Sequence, residues 1–119
     1  MKKILILEDD RDFAEVEKML VQKAGYGVAV TLNPKKALED VKKYDLLLLD
    51  MIMVSKFTGR QFLEKMKEMK VKTPVIIVSG VLLSEVFADE LAKKYPGVGF
   101  VQKTYMNEKL IPMIKDKIG

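Results

Sequence analysis

Five short apolar runs punctuate this chain: Lys3 to Leu7, YGVAVT, LLLL at Leu46 to Leu49, TPVIIVS and VGFVQ. After each comes a longer stretch in which apolar residues recur at helical spacing. Strand then helix, five times over, constrains the fold more than any other feature. The alternation predicts a parallel sheet with helices on both faces. Ligands of such sheets bind beyond the carboxyl ends of the strands. The chain's 119 residues suffice for one domain with one core. No repeat, linker or low-complexity tract interrupts it.

The helical stretches carry their own signals. Phe13, Val16, Met19, Leu20 and Ala24 form the first apolar face, and Gly25 and Gly27 flank the next break. In NPKKALEDVKK, Asn33 is the expected N-cap and Pro34 the first helical residue, with Ala37, Leu38 and Val41 inward. Periodicity alone does not separate LLLL from a helix core; its short length and polar flanks favour a strand covered on both faces. A third helix runs from Gly59 to Met69 with Phe62, Leu63, Met66 and Met69 inward. Ser84 is a candidate cap of the fourth, which carries Phe87 and Leu91 and is expected to end at Pro96 and Gly97. Asn107 is read as the cap of the last helix, with Leu110, Ile111, Ile114 and Ile118 inward and a bend at Pro112. The methionines sit mostly at core spacing and read as packing.

Composition excludes several chemistries. With no cysteine and no histidine, there are no disulfides, no thiolate or imidazole metal sites and no histidine-based catalysis. A metal here must take oxygen ligands, which favours magnesium, calcium or manganese. Lys and Arg number 21 against 17 Asp and Glu. Spread along the chain, the lysines read as solvated helical surface, with binding to an anionic partner as the alternative. No signal peptide is visible and no run approaches the roughly 20 apolar residues of a membrane span. A cytoplasmic location without membrane insertion is expected, and nucleic acid is not an expected partner.

The strand ends gather one chemistry. Glu8, Asp9 and Asp10 follow the first strand, Asp50 the third, Ser79 ends the fourth and Lys103 follows the fifth. With strand order 2-1-3-4-5 these fall on neighbouring strands about 4.8 Å apart, with Asp9 beside Asp50 and Lys103 reaching back. Several carboxylates in one pocket repel unless a cation neutralises them. A hard divalent ion does so while keeping positions for water and phosphate oxygens. A carboxylate can also accept a phosphoryl group covalently, and a hydroxyl and an ammonium stabilise the transferring oxygens. Singly, each residue reads as a turn, cap or surface residue, Asp10 and Asp12 most of all. Their joint placement on one rim is the signal.

The pieces KILILEDD, YDLLLLDMIM, TPVIIVSG and FVQK resemble a response-regulator receiver domain of two-component signalling, over nearly the whole chain. The resemblance implies a flavodoxin-like, doubly wound α/β fold with a five-stranded parallel sheet, order 2-1-3-4-5, and five helices. It implies a stand-alone receiver over residues 1–119, with no output domain after Gly119. Asp50 matches the phosphoacceptor, Glu8 and Asp9 the acidic pair, Ser79 the switch hydroxyl, Lys103 the lysine and Phe100 the aromatic switch position. Mg2+, or Mn2+ in its place, would be held by Asp9, Asp50 and the backbone carbonyl of Ile52, with Glu8 acting through water. The implied partners are a histidine kinase or phosphotransfer protein and a downstream target protein. The target would read the face of helix 4, strand 5 and helix 5.

The sequence departs from the family pattern at several places. Val54 stands where proline is usual, and Gly59 lies nine residues after Asp50, which makes that loop one residue longer. Gly80 follows the switch hydroxyl in place of a small residue such as alanine. Thr104 replaces a proline joined by a cis bond, so a trans bond is expected, with Lys103 aimed differently. Branched Ile52 and Val81 flank the family's water path, which predicts slow loss of phosphate. Apolar VLLSEVF packs over the site or docks a partner. Two rival classes remain. A pseudo-receiver would be an interaction module that is not phosphorylated; a small magnesium-dependent phosphatase would need an aspartate where Ile52 stands. The chain is not expected to be an enzyme beyond its own phosphotransfer and slow dephosphorylation. No Gly-rich phosphate loop follows strand 1.

Overall fold

The computed structural model describes residues 1–50, 59–80 and 85–119, with the side chains of 85–87 outside that description. Five strands, β1 Lys3–Leu7, β2 Gly27–Thr31, β3 Leu46–Asp50, β4 Val75–Ser79 and β5 Gly99–Gln102, form one sheet in the order β2-β1-β3-β4-β5. Every pairing is parallel. The helices are α1 Arg11–Lys23, α2 Pro34–Asp40, α3 Gly59–Glu68, α4 Glu85–Lys94 and α5 Met106–Ile118. Short 3-10 turns follow α2 at Val41–Lys43 and precede α5 at Lys103–Tyr105. This is the flavodoxin-like arrangement that the receiver-domain resemblance implied, and its parallel sheet with helices on both faces is what the alternating pattern predicted.

Successive strand residues point to opposite faces, and here both faces are covered. Leu5, Leu7, Leu47, Leu49, Val75 and Ile77 pack with Ala37, Val41, Phe62, Met66 and Leu91, from α2 to α4. Ile4, Ile6, Leu46, Leu48, Ile76 and Val78 pack with Val21, Leu110 and Ile114, from α1 and α5. Double burial explains why β3 is written as unbroken leucine. Edge strand β2 is only partly buried along its length. Phe62 is wholly buried, and its truncation to alanine should cost about 3–5 kcal/mol.

Local signals set the helix starts. Asp10 caps α1, its Oδ1 accepting from the Phe13 N–H at 3.1 Å. Asn33 caps α2 through Lys35 and Lys36, and Pro34 takes the first turn. Asn107, by contrast, is not a cap. The Lys103–Tyr105 turn winds directly into α5, so Asn107 already lies inside the helix, and Tyr105 at the start makes no side-chain cap bond. Pro112 also lies within α5.

The first helical face is rotated from its expected place. Val16 and Met19 are 50% and 68% exposed, while Ala14, Glu17 and Val21 are buried. At about 100° per residue, Phe13, Ala14, Glu17, Leu20, Val21 and Ala24 form one stripe, and Met19 falls behind it. Met69 sits past the end of α3 and is half exposed. Among the described methionines, only Met66 and Met106 are fully buried, so packing accounts for fewer of them than expected. The expectations for Ser84, Phe87 and the docking role of VLLSEVF lie outside the described residues.

Candidate functional site

The register assembles the site at the carboxyl rim. Leu7 is level with Leu49, so the next residue, Glu8, comes level with Asp50, and Asp9 stands one further on. The Glu8, Asp9 and Asp50 carboxylates each offer an oxygen within 4.8 Å of the others. Glu8 and Asp50 are buried and Asp9 is partly exposed. Asp10 takes no place in this cluster. It caps α1, and its N–H donates to Glu8 Oε1 at 3.4 Å. The third acid thereby fixes both the helix start and the orientation of Glu8.

Lys103 answers the cluster from the far side. Its Nζ donates to Glu8 Oε1 at 3.1 Å and lies 4.1 Å from the Phe13 ring centroid. The Lys103–Thr104 peptide is trans, yet the ammonium still reaches the carboxylates. Gly80 lies along its path: an added Cβ would stand 3.5 Å from Lys103 Cδ, an ordinary contact. Ser79 is buried at the end of β4, level with Gln102. Ser79 and the partly buried Phe100 border a cleft of about 260 Å³ together with Tyr105 and Lys109.

The electrostatics are those of crowded acids. Burial, then the charge of Asp50, push the Glu8 carboxyl up to about 7 against the opposing pull of Lys103. Burial would lower the Lys103 ammonium, but the bond to Glu8 and the charges of Asp50, Glu8 and Glu17 outweigh it and hold it raised. Glu17 was missed by sequence reasoning. It is 1% exposed on the inner face of α1, with Oε1 lacking a hydrogen-bond partner. Burial, then the charge of Glu8, push it up to about 8. The available signal was its place at the centre of the Phe13–Ala24 stripe.

The donor set fits a hard divalent cation. All three clustered groups are carboxylates, and buried Glu8 Oε2 has no hydrogen-bond partner, so an ion there would relieve both the repulsion and the orphaned oxygen. The Ile52 carbonyl, expected to share the ion, lies outside the described residues, as do Val54 and the Ile52 and Val81 side chains.

Comparison with known proteins identifies the family and the fold. Residues 4–115 match the response regulator receiver domain. The transcriptional regulatory protein DltR of Streptococcus agalactiae is 33% identical over 79 residues, covering 65% of this chain and 35% of DltR. The cell cycle response regulator CtrA of Brucella ovis is 28% identical over 118 residues, 98% of this chain and 46% of CtrA. This chain thus spans less than half the length of these relatives. Among solved structures, the chemotaxis protein CheY4 of Vibrio cholerae superposes with a TM-score of 0.82 at 22% identity, over 98% of each chain. The receiver domain of Francisella response regulator 1452 gives 0.85 at 24% identity, over 99% of this chain and 97% of that one. No described helix is long and apolar enough to cross a membrane. By the match over residues 4–115, the chain belongs to the response regulator receiver domain family of two-component signalling.

Proposed function

We propose that Asp50 accepts a phosphoryl group from the phosphohistidine of a histidine kinase or phosphotransfer protein. The convergence of the Glu8, Asp9 and Asp50 carboxylates within 4.8 Å carries this reading. A carboxylate oxygen of Asp50 attacks the phosphorus in line. The phosphorus–nitrogen bond breaks, an acyl phosphate forms, and the departing imidazole takes a proton. Asp9, Asp50 and the Ile52 carbonyl would hold Mg2+ or Mn2+, with Glu8 acting through water. The ion would supply positive charge to the phosphoryl oxygens. Lys103 supplies the protein's own cation, and its reach to Glu8 at 3.1 Å supports that role. The Ser79 hydroxyl donates to a phosphoryl oxygen, and Phe100 turns inward. The face of α4, β5 and α5 then changes for a target protein to read. Turnover is limited to the domain's own phosphotransfer and slow dephosphorylation.

Intact mass after incubation with magnesium and acetyl phosphate tests this, beside an Asp50→Ala control. A gain of one phosphoryl group in the parent alone is expected, with slow decay. A folded protein that binds magnesium and gains no mass would be a phosphorylation-independent interaction module instead.

A further inference from the structure

At the end of the sheet opposite the carboxylates, a cleft of about 460 Å³ opens between the C-terminal ends of α3 and α4 and the starts of β4 and β5. Its floor is apolar, built from Leu63, Met66, Val71, Val75 and Val98. Lys67, Lys70, Lys72, Lys94 and Lys117 line it, and none of its lining residues is acidic. Lysines that are scattered in sequence are thus concentrated around one concavity.

Three of these ammonium groups converge on a single turn. The Nζ atoms of Lys67 and Lys94 stand 5.8 and 5.7 Å from the Tyr95 ring centroid. Lys67 donates to the Lys94 carbonyl at 3.4 Å, and Lys117 donates to the Gly97 carbonyl. Glu64 answers Lys94 at 3.3 Å from a half-exposed position. Among the described residues no carboxylate pairs with Lys67, Lys70, Lys72 or Lys117. Cations gathered this closely repel one another and focus a positive potential into the cleft. Tyr95 lines the same space.

Lys70 adds an independent observation. Its φ is +58°. Its N–H reaches the Lys67 carbonyl at 3.1 Å, and the Val71 N–H reaches that of Met66 at 3.0 Å. These paired bonds close a helix whose left-handed residue is usually glycine. A lysine stands there at a local backbone cost, and it sets a cation on the rim.

We propose that this cleft binds a small phosphorylated organic anion, its apolar body on the floor and its phosphate among the lysines. A lone carboxylate would answer one of the cations, whereas a diphosphate answers several. The volume lies within the range of about 300–1,000 Å³ typical of small-molecule sites. An acidic protein segment or a nucleic acid would answer the charge but would leave the concave apolar floor unexplained.

The test uses the full chain with 8-anilinonaphthalene-1-sulfonate, a fluorescent anion with an apolar body, displaced by ADP, adenosine or inorganic phosphate. Saturable binding is expected, with ADP displacing the probe at concentrations at least roughly 10-fold below adenosine or phosphate, because body and charge act together. Lys67→Met and Lys94→Met should each weaken ADP roughly 5–10-fold. Lys70→Gly separates recognition from folding: it should raise the unfolding temperature while weakening ADP. Displacement by phosphate as effective as by ADP, or ADP affinity unchanged in all three variants, overturns the proposal. Tighter displacement by a polyglutamate peptide or by single-stranded RNA also overturns it, because the surface would then serve a macromolecule. Divalent ions are left out, so phosphate groups have no metal to seat them at the carboxylate end.

Discussion

The two ends of this sheet carry opposite charge in opposite settings. At the carboxyl end, Glu8 and Asp50 are buried with Asp9 beside them, and Lys103 reaches in to Glu8. At the amino end, lysines that are mostly exposed stand over an apolar floor. Parallel topology contributes to both. The carboxyl ends of the strands lie beside helix N-termini, which favour negative charge, and the amino ends lie beside C-termini, which favour positive charge. Lys67, Lys94 and Lys117 indeed fall in the last turns of α3, α4 and α5. The settings then set the scale. Buried charges interact through a poor dielectric and respond strongly to one substitution, whereas exposed ones are screened and act together.

The largest effect should therefore come from Lys103→Met. It removes the cation that bonds Glu8 and is felt by Asp50 and Glu17. Phosphoryl uptake from acetyl phosphate should slow by about 100-fold or more, the scale of losing a preorganised charge at a reacting group. Timed intact-mass measurements read this directly. An unchanged rate would assign Lys103 to the fold and weaken the contrast between the ends.

Glu17 gives the next effect, and its sign is opposite to that of a paired carboxylate. Its folded value is raised from 4.5 to about 8. Between those pH values the folded chain holds a proton that the unfolded chain has released, so stability falls as pH rises through that window. Glu8, raised to about 7, adds a slope of the same sign. Glu17→Leu should remove part of the slope and stabilise the ion-free protein near pH 8 by on the order of 1–3 kcal/mol. Urea unfolding near pH 5.5 and pH 8, without divalent ions, measures it. Equal stability of the two proteins at both pH values would mean that the carboxylate is solvated.

Glu17 also marks where the sequence was legible and where it was not. Strands covered on both faces leave runs such as LLLL, and parallel crossovers leave helices between them, so the element order and the parallel sheet followed from pattern, whereas the strand order came from the receiver-domain resemblance. The acids were legible because strand ends converge on one rim. Glu17 was not, because a polar residue inside an amphipathic helix reads as solvent-facing, and counting Val16 and Met19 into the stripe turned the face away from it. The cleft was hidden for another reason. Lys70, Lys94 and Lys117 belong to separate elements, and only the chain crossovers bring them together. Asn107 misled because a good capping residue stands one position inside a helix that starts from a 3-10 turn.

The smallest effects come from a matched pair of helix ends. Gly25 closes α1 with its N–H on the Gln22 carbonyl at 3.0 Å and that of Tyr26 on Val21 at 3.4 Å, at φ +101°. Lys70 closes α3 with the same pattern at φ +58°. Open space surrounds Gly25, so Gly25→Ala should lose about 1 kcal/mol through backbone strain alone. Lys70→Gly relieves such strain but frees the unfolded chain, so its gain should be smaller, about 0.5 kcal/mol. Shifts in the urea midpoint at constant slope would read both. A loss of stability in Lys70→Gly would mean that the lysine side chain holds the amino end of the sheet together. Its charge would then be structural, and the two ends would differ less than their exposure implies.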